Sequence, residues 1–281
     1  MNQELVHFLN GTFVAGTEPV VSIHDLGFAR GYAVFDFLIT YPHHRPFMLQ
    51  EHVSRLFRSA KMIDLIPLWT ERQVCDWILE TLAKNENAEE KTVKIVMTGG
   101  ISHAFDFKSE GPTIAIIVEP RVPLPPELYQ IGFNIMTVEH ERYIPEAKTN
   151  NYIEAVRQLR VAGEKDAHDI VYYNSSQVFE ASRSNIFALI DGELRTTKTN
   201  ILSGITKEVL LKILKLPVPV VEKDFSLQEL QGADEVFLTA SNLEIMPVTK
   251  INGNPVGAGI PGPLTLEAMK QFEAHTTSGN W

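Results

Sequence analysis

The chain alternates between apolar runs of period two and stripes of helical period. His7-Phe8-Leu9 and Thr12-Phe13-Val14 flank Asn10-Gly11, the dipeptide that a type I′ turn favours, so the first segment reads as a hairpin. Residues 34–40 (VFDFLIT) are apolar and aromatic enough for a strand. Over 49–60, Val53, Leu56, Phe57 and Ala60 recur at i, i+3, i+4 and i+7, which predicts a helix with one buried stripe. A second helix reads over 71–84, with Val74, Trp77, Ile78, Leu79 and Leu82 on or near one face. Two strands follow, 92–97 (TVKIVM) and 113–118 (TIAIIV). Pro120, Pro123, Pro125 and Pro126 then crowd together, a run expected to form neither helix nor central strand. The pattern therefore predicts an N-terminal α/β domain over 1–119, a Pro-rich linker over 120–130 and a C-terminal domain over 131–281.

The second half is richer in hairpins. Residues 170–173 and 177–179 flank Asn174-Ser175-Ser176, and 186–190 and 193–196 flank Asp191-Gly192. Ile251-Asn252-Gly253-Asn254 is another Asn-Gly turn, and 235–239 (EVFLT) is a strand running into a polar loop. Helices are predicted at 152–162, 205–215 and 263–274. No repeat of 20 to 50 residues is present. The chain reads as α+β in two domains, neither a solenoid nor an alternating βαβ array.

Composition narrows the class. The 281 residues carry 25 basic and 35 acidic side chains, a formal charge of −10. Such a surface repels phosphate backbones, so no nucleic-acid partner is expected, although a local basic pocket for a small anion is compatible with it. One cysteine, Cys75, excludes an intrachain disulfide and two-cysteine metal motifs, and suits a reducing compartment; it reads as a small buried apolar residue. Met1-Asn2-Gln3-Glu4-Leu5 lacks the basic and apolar regions of a signal peptide, and no stretch reaches the ~18 apolar residues of a membrane span. A soluble cytoplasmic protein is the expectation.

No Gly-x-Gly-x-x-Gly, Walker A, Gly-x-Ser-x-Gly or His-Glu-x-x-His motif is present. His43-His44 reads as an exposed turn rather than a metal site, and no metal is expected. Two segments could cup an anion. Ser203-Gly204 opens the helix at 205, where free N–H groups and the Thr206 hydroxyl suit a phosphate; the plainer alternative is an N-cap at Ser203. Thr239-Ala240-Ser241-Asn242 ends a strand in small hydroxylated residues, or is an ordinary loop. Arg55 lies just off the apolar stripe of its helix, either solvated or an anion ligand. Lys148 follows a proline and precedes a helix, where most lysines are surface residues. Glu180 sits between apolar strand segments and needs a cation if buried; Arg183 is one candidate.

The order of these residues carries more than each alone. Lys148-Thr149-x-Asn-Tyr152, Glu180-x-x-x-Ser184-Asn185-Ile186-Phe187, Leu202-x-Gly204-Ile205-Thr206 and 233–239 (ADEVFLT) with Pro247-Val248 after it resemble the class IV, fold type IV aminotransferases that use pyridoxal 5′-phosphate. Branched-chain aminotransferases, D-amino-acid transaminases and aminodeoxychorismate lyases belong to that family. Asn10-Gly11, Gly31-x-x-Val34-Phe35-Asp36 and Glu51-His52-x-x-Arg55-Leu56-x-x-Ser59-Ala60 extend the resemblance over about residues 8 to 274.

The resemblance implies a two-domain fold type IV enzyme whose C-terminal domain binds the cofactor. Lys148 would condense with the cofactor aldehyde and then shuttle a proton at the substrate Cα. Glu180 would pair with the ring nitrogen and keep it protonated. Arg55, the Gly204-Ile205-Thr206 helix start and Ala240-Ser241 would hold the phosphate, with Leu202 on a ring face and Tyr152 near the cofactor. Arg30 and Arg183 stand where relatives carry other residues, and Thr98-Gly99-Gly100 lacks the arginine of the usual D-amino-acid pattern. This combination resembles noncanonical D-amino-acid transaminases, in which such arginines bind the substrate α-carboxylate; an internal pairing of Arg183 with Glu180 or Asp36 is the alternative. Phe35 and Phe37 would line the pocket for small side chains. The resemblance further implies a homodimer, the Arg30 loop reaching the neighbouring active site, with amino acids and 2-oxo acids as substrates.

Overall fold

A computed structural model describes residues 4–16, 19–87, 89–103 and 108–281; the first three residues, on which the signal-peptide reading partly rests, lie outside that range. Two compact units form: one of Met1–Val122, Ala147–Asn151 and Trp281, the other of Pro123–Glu146 and Tyr152–Asn280.

The first unit contains β1 (Val6–Leu9), β2 (Thr12–Ala15), α1 (Leu26–Arg30), β3 (Ala33–Tyr41) and β4 (Arg45–Pro46). It continues with α2 (Leu49–Met62), α3 (Glu71–Lys84), β5 (Lys91–Thr98) and β6 (Thr113–Pro120). The strands make an antiparallel sheet in the order β2-β1-β6-β5-β3-β4. Asn10 and Gly11 both take positive φ in the first turn, as the Asn-Gly pair predicts. Period-two alternation sends Val93, Ile95 and Met97 of β5 into a core with Val53, Leu56 and Ala60 of α2. The same alternation puts Val34, Asp36 and Leu38 of β3 on buried positions, while Phe35 and Phe37 alternate with them and are half-buried. A carboxylate in that apolar layer demands cationic partners.

The second unit contains α4 (Pro126–Ile131), β7 (Phe133–Glu139), α5 (Ile153–Gly163), β8 (Asp169–Tyr173), β9 (Val178–Ala181) and β10 (Asn185–Ile190). After these come β11 (Glu193–Thr196), α6 (Ile205–Ile213), β12 (Val220–Glu222), α7 (Leu227–Gln231) and β13 (Glu235–Ala240). The chain closes with β14 (Glu244–Ile251), β15 (Asn254–Pro255) and α8 (Pro263–Ser278). A mixed sheet runs β12-β11-β10-β13-β14-β7-β8-β9, with β15 beside β14. Ile186, Ala188, Val236, Leu238, Met246 and Val248 fill its core on one face. Asn185, Phe187, Phe237 and Thr239 share the other face, where the two phenylalanine rings stack at 4.8 Å.

Helix α4 corrects the expectation that the proline run holds no helix. Pro125 occupies the N-cap and Pro126 the first helical position, where the missing N–H has no intrahelical acceptor in any case. Strands β7 and β14 have no counterpart in the sequence pattern beyond Pro247-Val248. Both are interior strands of the sheet, covered on both faces for most of their length, so their apolar residues do not alternate cleanly. His43 and His44 take positive φ in the turn between β3 and β4; His43 is exposed as expected, whereas His44 is half-buried with its Nδ1 inside. Among the described residues no helix is long and apolar enough to cross a membrane, and no group of histidine, cysteine and acidic side chains could hold a metal.

Candidate active site

In the first unit the chemistry begins on α2. His52, Arg55 and Ser59 recur at helical spacing on one side and are all buried. Arg55 is no solvated helix arginine: its Nε donates to Asp36 Oδ2 and its Nη2 to Oδ1, each at 2.8 Å. Nδ1 of His52 lies 2.6 Å from the same Oδ1, which also accepts the Phe37 N–H at 2.7 Å. The Arg55 guanidinium and His52 offset the burial penalty on Asp36, and its carboxyl is held well below the ordinary carboxylate range. Burial lowers His52 below its usual value, opposed by the Asp36 charge.

Lys148 reaches this cluster through the backbone. Ala147–Asn151 runs beside β3: Phe35 N–H donates to Lys148 C=O at 2.9 Å, Asn150 N–H to Ala33 C=O at 3.1 Å, and Thr149 bridges Val34. The Lys148 N–H donates to Ser59 Oγ at 3.0 Å. These bonds bury the side chain to 9% exposure and put its Nζ 4.7 Å from the centre of the Phe35 ring. The surface alternative is thereby excluded for Lys148.

In the second unit Glu180 is buried on β9 and paired with Arg142, which also donates to Pro145 C=O at 3.2 Å. The other carboxylate oxygen, Oε2, accepts Leu202 N–H at 3.2 Å and Asn185 Nδ2 at 3.4 Å. The alternative pairing of Arg183 with Glu180 or Asp36 is corrected: Arg142 holds Glu180, Arg55 and His52 hold Asp36, and Arg183 is exposed. A cavity of about 80 Å³ beside the pair is lined by Arg142, Tyr172, Phe179, Glu180 and Asn200, and burial pushes the Tyr172 hydroxyl up to about 12.

Asn185 is the hub of this half. Its amide also donates to Leu202 C=O at 2.9 Å, and a Cβ on Gly204 would fall 1.9 Å from its Oδ1, so only glycine fits there. Gly204, not Ser203, is the N-cap of α6; the Ser203 hydroxyl donates to Glu208 at 2.9 Å instead. With no side-chain cap, and with Glu208 N–H the first to meet an intrahelical carbonyl, the N–H groups of Ile205 and Thr206 point off the helix start. Thr239 lies directly across from Asn185, and Ala240 and Ser241 follow at the strand end. The hydroxyls of Thr239 and Ser184 are buried with no hydrogen-bond partner among the described residues.

The structure thus brings Arg55, Lys148 and Phe35 together in one unit. In the other it groups Glu180 with Leu202, and sets Ile205 and Thr206 directly after Gly204 beside Asn185. Arg30, exposed, donates to Ala29 C=O at 2.8 Å, and Tyr152 is the N-cap residue of α5. Asp36, His52, Ser59, Arg142 and Asn185 acquire roles that sequence reasoning did not give them. A charge inside the period-two pattern of β3 signals Asp36, and the spacing of three and four residues from Arg55 signals His52 and Ser59. Arg142 has no such signal, because 38 residues separate it from Glu180.

These groups fit pyridoxal 5′-phosphate. Buried orphan hydroxyls, an uncapped helix start and a cradle that a Cβ would fill suit a phosphate. A buried carboxylate suits a protonated ring nitrogen, and a buried lysine suits an aldehyde.

Known proteins agree. The amino-transferase class IV family matches residues 33–251. A Methanocaldococcus jannaschii protein named as a branched-chain-amino-acid aminotransferase is 34% identical over 95% of this chain and 94% of its own. The D-alanine aminotransferase of Listeria monocytogenes serotype 4b is 32% identical over 94% and 93%. Among solved structures, the branched-chain aminotransferase of Thermoproteus uzoniensis with norvaline superposes with a TM-score of 0.90 at 25% identity, over 99% of this chain and 96% of that one. The chain belongs to the class IV aminotransferases, pyridoxal-phosphate-dependent enzymes of fold type IV.

Proposed function

We propose that this aminotransferase prefers D-amino acids of the D-alanine and D-glutamate type, moving their amino group to a 2-oxo acid in two half-reactions. The observation that carries this reading is the state of Arg183: its guanidinium is exposed and forms no ion pair within 4.0 Å among the described residues. Its charge acts on the buried Asp169 without forming an ion pair, which leaves its donor fork for a substrate α-carboxylate, gripped bidentately. Arg30 is likewise exposed and, among the described residues, bonds to the neighbouring Ala29 carbonyl. The relatives named D-alanine aminotransferases support the same reading.

Pyridoxal phosphate supplies an aldehyde for the amino group and a ring that accepts the electron pair of the Cα–H bond. The chain's residues do the rest. Lys148 takes the proton from Cα and returns it on the other side of the transfer. Glu180, pinned by Arg142 and the Leu202 N–H, would hold a proton on the ring nitrogen. Arg55 in the first unit, and in the second the N–H groups of Ile205 and Thr206 and Ala240 with Ser241, would each offer donors to the phosphate. Leu202 would pack on the ring, Tyr152 would hydrogen-bond near it, and Phe35 would restrict the side-chain space.

Val20, Val21, Ile23 and Phe28 expose large apolar surface on the segment that leads to Arg30, which supports a homodimer in which a second copy covers that segment. The single cysteine, buried and unpaired, supports a cytoplasmic setting.

A branched-chain L-amino-acid transaminase is the second reading, favoured by the name of the Methanocaldococcus relative. The visible spectrum of the holoenzyme decides between them. Loss of the cofactor band with D-glutamate but not with L-glutamate or L-leucine is expected. Loss with the L-isomers only would establish the branched-chain reading and leave Arg183 as a surface residue. A band that answers to none of them would favour an aminodeoxychorismate lyase.

A further inference from the structure

Among the buried polar atoms of α2, His52 Nε2 is unsatisfied. The ring is fully buried, its Nδ1 is committed to Asp36 at 2.6 Å, and Nε2 has no partner among the described residues. Three charged groups face the ring: Asp36 from β3, Arg55 one turn along α2, and Lys148 from the strip beside β3. The Arg55 guanidinium has five N–H donors and gives two of them to Asp36, so that pair is neutral as a unit. Lys148 also faces the ring, but its amine must give up its proton to attack an aldehyde, so it is no lasting counter-charge for the anion. A phosphate monoester dianion at Arg55 therefore leaves negative charge in a dry environment beside a group able to neutralise part of it. That group is His52, whose Nδ1–H stays on Asp36 while Nε2 has a vacant lone pair.

We propose that His52 takes up a proton on Nε2 when a phosphate dianion docks on Arg55, so that phosphate binding in this unit is coupled to proton uptake. The inference rests on the assignment of Arg55 to the phosphate made above. The step is a simple protonation: solvent supplies the proton, the Nε2 lone pair forms the new N–H bond, and the ligand loses nothing. Burial favours the neutral ring before the anion arrives, which is the starting state the coupling needs.

The probe is methyl phosphate, which has neither an aldehyde nor a ring nitrogen to confuse the proton count. Its second pKa lies near that of other phosphate monoesters, about 6, so above pH 7.5 it is already a dianion. Calorimetry of the full chain freed of cofactor, at pH 8 in two buffers of different ionisation enthalpy, should show net proton uptake on binding; none would overturn the proposal. In parallel, the wild-type Kd should rise with pH between 7.5 and 8.5, approaching about tenfold per unit at full coupling. His52→Asn keeps a donor for Asp36 and removes Nε2, and its Kd should be nearly independent of pH. A slope that survives this substitution would assign the proton to Lys148 and sink the proposal. Arg55→Gln separates the two levels of the argument: if it binds methyl phosphate as the wild type does, the assignment of Arg55 is wrong. If it loses binding while the wild type takes up no proton, only the role of His52 is wrong.

Discussion

Gly204 passes so close to Asn185 that a single added carbon would fall 1.9 Å from the amide oxygen. The same amide donates to Leu202 C=O and to Glu180, so the approach links the start of α6 to the buried carboxylate. Gly204→Ala must displace Asn185, and we expect pyridoxal phosphate affinity to fall roughly tenfold or more, with a lower Tm. Fluorescence titration and thermal denaturation measure both. Asn185→Ala in the same chain removes the obstructing atom, so the double variant should be less destabilised than the two single effects added. Strict additivity would show that the two residues do not couple.

Arg142 and Arg183 should separate cleanly. Arg142→Gln leaves a buried carboxylate without its cation, a change that costs about 3 kcal/mol in comparable sites, and holoenzyme stability and cofactor retention should both drop. Arg183→Gln removes an exposed guanidinium, and unfolding free energy should stay within about 0.5 kcal/mol of wild type. Its effect should appear as a raised KM for amino acid and 2-oxo acid alike, because both carry the carboxylate. An equal loss of stability in the two variants would contradict the assignment.

What sequence reasoning reached, and what it missed, follows from how far each signal extends along the chain. Helices α2 and α3 and the Asn-Gly and Asp-Gly hairpins are local patterns, and the structure has them where the pattern puts them. The α+β class follows from the pattern of hairpins and helices, and the fold type from ordered motifs, each short enough to be read directly. The partner of Glu180 is not legible: Arg183, three residues away, is the nearer cation in sequence, but the bend after β9 leaves it exposed, while Arg142, 38 residues earlier, reaches the carboxylate. Asp36 was visible as a motif residue without a role, because its meaning depends on which face of β3 packs against α2. The helix in the proline run was missed because proline was read as a breaker at every position, although it is accepted at the first helical residue.

Lys94 gives a test of substrate range. Its Nζ lies 5.2 Å from the centre of the Phe35 ring, from which Lys148 Nζ lies 4.7 Å, so the two Nζ atoms are no more than about 10 Å apart. Lys94 is exposed and makes no hydrogen bond or ion pair among the described residues. That separation is within reach of an amino acid with a second carboxylate. Lys94→Gln should raise KM for glutamate and 2-oxoglutarate by about tenfold, the value of roughly 1.4 kcal/mol for an exposed charge-assisted contact, and leave alanine and pyruvate unchanged. Equal effects on both substrate pairs would make Lys94 a general electrostatic contributor rather than a selector.

Acid should weaken the first unit in two separate stages. An unfolded His52 titrates near 6.5, whereas the folded ring is held below that value by burial. The unfolded chain therefore binds the extra proton first, and stability falls as pH drops through 6.5. Asp36 has an unfolded value of 3.8 and a folded carboxyl held far lower by Arg55 and His52. Its contribution is complete above 3.8 and is lost as pH falls below it. Denaturant midpoints measured from pH 8 down to pH 3 should show both losses. His52→Asn should shrink the loss near 6.5, to which His7, likewise held low by burial, also contributes, and leave the lower one. Asp36→Asn should remove the lower stage, but at neutral pH it strands the Arg55 guanidinium in a dry site and lowers stability there by about 3 kcal/mol. An Asp36→Asn protein as stable at pH 7 as the wild type, with its acid limb unchanged, would mean that the carboxylate and the guanidinium do not depend on each other.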